Sequence, residues 1–92
     1  MTTRTRSILL LGRRDHAEAM RVAAGLTIFG HRVRLVMMGG PVADSAENAA
    51  QLELLDLADI VPQTTVTGQE LELLDAPALA DAMRAADVVM SI

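Results

Sequence analysis

The 92-residue chain predicts an α/β domain of about four parallel strands with helices on both faces. Three observations carry this expectation. Short apolar runs at 7–11, 33–38 and 87–92 have the length and continuity of strands buried in a parallel sheet. Segments with helical spacing and acidic caps alternate with them. Glycines at 12, 30, 39, 40 and 68 punctuate the boundaries. The length suits one domain over 1–92 with a single layered core.

Residues 7–11 form the first strand, closed by Gly12. Asp15 caps a helix that runs to about Phe29, with Val22, Leu26 and Phe29 on one side. Gly30 ends it in left-handed conformation. Residues 33–38 form the second strand, and Gly39-Gly40-Pro41 stops it. Asp44 as N-cap and Glu47 three residues on start a helix to about Leu57. Residues 60–66 are a weaker third strand, because Pro62 lacks a ladder donor. Residues 70–74 suit a turn of helix. Asp75 caps a last helix with Pro77 in its first turn and Leu79, Ala82, Met83 and Ala86 on one face. Residues 87–92 form the fourth strand.

Charge divides the chain. Up to Val42 there are seven arginines against Asp15 and Glu18; from Ala43 onward there is Arg84 against ten carboxylates. There is no lysine, and the net charge is −4. Phe29 is the single aromatic residue, so the stacking platform of a single-strand nucleic-acid module is missing. Arginines sit at both ends of the strands and give no continuous basic face, so nucleic acid is not an expected partner. No run approaches the about 20 apolar residues of a membrane span. The apolar run at 8–11 is too short for an export signal, and Arg13-Arg14 follows it. With no cysteine there is no disulfide, thiolate nucleophile or thiolate metal site, which fits a cytoplasmic protein. No cofactor or metal site is expected.

In a parallel sheet, ligands bind beyond the carboxyl ends of the strands. That end should carry 12–16, 38–42, 64–68 and Ser91; His31, Arg32, Asp59 and Asp87 belong to the other. Arg13 and Arg14 at a helix start, with His16, could hold a phosphate or carboxylate. Gly39 and Gly40 would let backbone N–H groups approach it, with hydroxyls from Thr64 and Thr65. A solvated loop and an ordinary turn account for the same residues. Neither G-x-G-x-x-G nor G-x-x-x-x-G-K-[ST] is present. No base stands beside a serine or threonine, so acyl transfer has no constellation. Arg32 and Arg34 alternate with apolar residues as on an edge strand and are candidate interface residues. Methionines 37, 38, 83 and 90 read as core filler.

The stretches 23–26 and 30–35, ending in Gly39-Gly40-Pro41-Val42, resemble the first βαβ unit of DsrE/DsrF/DsrH-like (Tus-type) sulfur-relay subunits. Those proteins show a glycine–histidine–x–valine approach to strand two, as in Gly30-His31-Arg32-Val33. Residues 50–61 are similar to the family's helix into strand three. Residues 78–83 and 87–92 are similar to its closing helix and terminal strand. The resemblance spans about 7–92. It implies a small flavodoxin-like sandwich that assembles into homo- or hetero-oligomers. Active members carry persulfide on a cysteine near the end of strand three. The matching stretch, 60–66, has none, so this chain cannot carry sulfur by that chemistry.

The expectation is therefore a non-catalytic DsrE-like subunit or assembly module, associated with a sulfur relay through its partners. The alternative is a small anion-binding or enzymatic domain using the loops at the carboxyl ends of the strands. If strands one and two share one end of the sheet, the charge division becomes a basic edge and an acidic edge.

Overall fold

A computed structural model describes residues 5–68 and 70–92. Its elements are β1 (Ser7–Gly12), α1 (His16–Ile28), β2 (Arg32–Met37), α2 (Ala46–Leu57), β3 (Gln63–Thr64), β4 (Glu72–Leu73), α3 (Ala76–Ala85) and β5 (Val88–Ser91). All strand pairs are parallel, in the order β4-β3-β2-β1-β5. This is a small flavodoxin-like α/β fold with five strands. The fifth lies at 72–73, where a helical turn was expected. Leu74 N–H donates to the Thr64 carbonyl at 2.8 Å, which holds that segment extended beside β3. The expected strand at 60–66 shortens to two residues, consistent with Pro62.

Side-chain alternation assigns each face its helices. Leu10, Leu35 and Met37 point to one face, where Ala19, Met20, Ala23, Ala24 and Leu55 cover them from α1 and α2. Leu9, Leu11 and Val36 point to the other, against Leu74 and Ala82. The inner side of α1 is thus an alanine stripe, not the Val22-Leu26-Phe29 side. Small residues bring α1 close to the sheet. A Cβ on Gly12 would lie 2.9 Å from the Met37 sulfur and 3.0 Å from the Ala19 Cβ. Phe29 consequently stands outside the core, 76% exposed. Of the four methionines expected inside, Met37 is fully buried and Met83 is exposed.

Caps explain the helix starts. Asp15 and Asp75 carboxylates accept from Glu18 and Ala78 N–H, as expected. For α2 the cap is Ser45 rather than Asp44: its hydroxyl accepts from Asn48 N–H at 3.1 Å. The Asn48 amide also donates to the Ala43 carbonyl at 2.8 Å and fixes that choice. Gly30 closes α1 with φ at +89°.

The strand order revises the charge picture. The chain moves outward from β1 through β2 to β3 and β4, and then α3 returns it across the opposite face to place β5 on the other side of β1. The acidic half is therefore split between both flanks of the basic strands. The sheet has no basic edge opposite an acidic one; Glu72 lies on one outer strand and Asp87 at the start of the other. Among the described residues no helix is long and apolar enough to cross a membrane.

Candidate functional site

Because all strands are parallel, the carboxyl ends of the sheet share one pole, where the loops after β1, β2 and β3 lie with Ile92, the residue after β5. The seven ligand-binding candidates lie at this pole: Arg13, Arg14, Gly39, Gly40, Thr64 and Thr65 in these loops or strand ends, and His16 as the first residue of α1. The loops are bound to one another by backbone groups. Met38 N–H donates to the Gly12 carbonyl at 2.8 Å. Arg13 and Arg14 N–H both donate to the Ile92 carbonyl, at 2.7 and 2.9 Å. These two amides lie where the chain reverses direction in the sheet, between β1 and β5. Crevices for ligands form at such switch points. Here Ile92 occupies the donors that an anion would use, while the Arg13 and Arg14 side chains remain exposed.

His16 is half-buried, and its Nε2 lies 2.9 Å from the Met38 carbonyl. A carbonyl only accepts, so Nε2 carries the hydrogen. The ring ties the start of α1 to the loop after β2. Gly39 meets the loop after β1: its φ is +82°, and a Cβ there would lie 2.6 Å from the Arg13 carbonyl oxygen. Close packing between loops is sufficient reason for glycine at this position. Thr64 is buried and its hydroxyl accepts from Val66 N–H at 3.1 Å, which shapes the turn after β3. Thr65 N–H donates to the Met37 carbonyl.

Open space at this pole lies elsewhere. A cleft of about 420 Å³ separates the start of α2 from the loop after β3. Asp44, Ser45, Asn48, Leu52, Glu70 and Leu71 line it, and none of the seven candidates does. In the sequence Asp44 stood out only as a cap, and neither Ser45 nor Asn48 stood out at all. The serine–x–x–asparagine spacing at 45–48 was the available signal.

The amino ends of the strands have a different character. Arg6 N–H donates to His31 Nδ1 at 3.2 Å, and Ser7 N–H donates to the Asp87 carboxylate at 2.9 Å. Arg32 is exposed at the start of β2. Arg34 donates through Nε to the Gln63 side chain at 2.7 Å, and Gln63 in turn donates to Glu72 at 3.1 Å. The alternation of Arg32 and Arg34 with apolar residues suggested an edge strand, but β2 is the central strand, between β1 and β3. All six of its residues pair with β1 and residues 36 and 37 pair with β3, and the short β3 leaves Arg32 and Arg34 beyond its ladder. At this pole stand the four most exposed of the large apolar residues described. Ile28 and Phe29 end α1, and Leu57 ends α2; Val61 leads into β3. They are 77%, 76%, 83% and 74% exposed. α1 and α2 pack side by side, both run antiparallel to the strands, and so both end at this pole.

The exposed Glu18 carboxyl is held below its ordinary range, chiefly by hydrogen bonds from the Arg21 guanidinium one turn along α1. The pair lies on the surface of α1 and belongs to neither pole's chemistry. No protein-family model matches the chain, and no curated protein or solved structure compared with it does.

Proposed function

We propose that this chain is a binding or assembly module: a cysteine-less, DsrE-like subunit that contacts a second copy of itself or a related subunit and carries no persulfide. Its place would be in a cytoplasmic sulfur relay, beside a subunit that supplies the sulfur nucleophile.

One observation supports the reading above the others. Ile28, Phe29, Leu57 and Val61 are each about three-quarters exposed or more, and all lie at the amino end of the sheet. Large apolar residues scattered singly over a surface are ordinary, whereas their gathering in one region marks an interaction site. Arg32 and Arg34 stand at the same end, and arginine is enriched where proteins meet. Arginine beside apolar residues gives such a contact both area and orientation. An acyl-transfer or persulfide reading has no comparable support, since the chain contains no cysteine and the Thr64 hydroxyl is engaged with its own turn.

Sedimentation over a concentration series tests self-assembly. The chain should form a discrete oligomer at tens of micromolar, in both low and moderate salt. A monomer throughout would contradict assembly with itself. A pull-down from native extract then tests the relay: persulfide-carrying partners should be recovered, and their consistent absence would remove that part of the proposal.

A further inference from the structure

We propose that the cleft beside the start of α2 is a binding site for a small organic cation, an ammonium group carried on a short apolar body. The volume, about 420 Å³, lies in the range of small-molecule pockets, roughly 300–1,000 Å³. Its position beyond the carboxyl ends of β2 and β3 is where a parallel sheet leaves room for a ligand.

The lining decides the ligand's chemistry. Leu52, Leu71 and Ala49 provide an apolar wall. The Asn48 donors are turned inward: at 8% exposed, it gives its side-chain N–H to the Ala43 carbonyl and its backbone N–H to the Ser45 hydroxyl. Asp44 and Glu70 contribute carboxylates, and among the described residues the lining includes no Arg or His. The start of α2 carries about half a positive charge. Two carboxylates outweigh it, so the cleft is negative overall and an anion is disfavoured. A bare metal ion would leave the leucine wall unused. An alkylammonium fits both parts, with its charge toward Asp44 and Glu70 and its chain along Leu52 and Leu71. The cleft lies at the opposite end of the sheet from Ile28, Phe29 and Leu57, so this inference stands independently of the assembly reading.

Titration of the ¹⁵N-labelled chain with n-hexylammonium, n-hexanol and n-hexanoate tests it by NMR. Hexylammonium should shift the amides of Ser45, Asn48, Ala49 and Leu52 in a saturable curve, with hexanol weaker and hexanoate weakest. Asp44→Asn/Glu70→Gln should lower the hexylammonium affinity about 3–10-fold, the size expected for two exposed charges. Ala49→Leu keeps a good helix former and fills the cleft, so it should abolish the response. Equal binding of all three probes, unchanged affinity in the double variant, or shifts centred on Phe29 and Leu57 would each overturn the proposal.

Discussion

Backbone groups are bonded at both ends of this sheet, but the two ends differ in the apolar surface they leave in solvent. At the carboxyl ends, the loops after β1 and β2 and Ile92 after β5 are joined by main-chain bonds, Met38 to Gly12 and Arg13 and Arg14 to Ile92, and by the His16 ring on Met38. At the amino ends, Ile28, Phe29, Leu57 and Val61 stand in solvent. The first arrangement pairs backbone groups where the chain segments meet, and a change there is felt as lost stability. The second leaves apolar area that only another molecule can cover, so a change there should be felt as lost association.

The strongest way to break the comparison is at Gly39. Alanine there would occupy a left-handed conformation and press its Cβ against the Arg13 carbonyl oxygen. Gly39→Ala should cost about 1–3 kcal/mol in urea unfolding. Unchanged stability would mean that the two loops are not held against each other.

A smaller effect sharpens the same point. The Arg13 and Arg14 amides are taken by Ile92, and their side chains are exposed. Arg13→Ala/Arg14→Ala should therefore change stability by less than about 1 kcal/mol in total. Phosphate and sulfate should move the melting temperature of the native chain and the variant alike. A phosphate-dependent rise lost only in the variant would restore the anion-binding reading.

The smallest effect concerns α1. Arg21 holds the Glu18 carboxyl below its ordinary range. A depressed carboxyl favours folding above its unfolded value, and that contribution fades as pH falls through the lowered one. Both groups are exposed, so Arg21→Ala should lower the melting temperature slightly at pH 7. The gap should close as the pH falls below the carboxylate range. A gap independent of pH would assign the effect to helix propensity instead.

The contrast also shows which features were legible in the sequence. Strand runs, the caps Asp15 and Asp75, and the parallel sheet follow from local chemistry and periodicity. So does the sorting of residues to two poles, because a parallel sheet places every βα loop at one end. Less legible was the inner side of α1. Periodicity favoured the bulkier Val22, Leu26 and Phe29, but the glycine at 12 requires a helix that approaches closely, and alanine meets that need. Strand order was hidden as well. The return of α3 across the second face depends on packing between Leu9, Leu11, Val36 and Ala82, residues far apart in the chain. That return splits the acidic half and removes the expected charge gradient. The cleft at Asp44 and Glu70 joins two loops 26 residues apart, and neither loop alone carries a recognisable motif.

The most direct test of the assembly reading is to sediment the native chain beside Phe29→Ser/Leu57→Ser under identical conditions. Both substitutions fall on exposed positions, so urea unfolding of the variant at a monomeric concentration should match the native chain closely. The account predicts a discrete oligomer for the native chain and a folded monomer for the variant. Two folded monomers would contradict assembly of the chain with itself, and two identical oligomers would contradict assembly through Phe29 and Leu57.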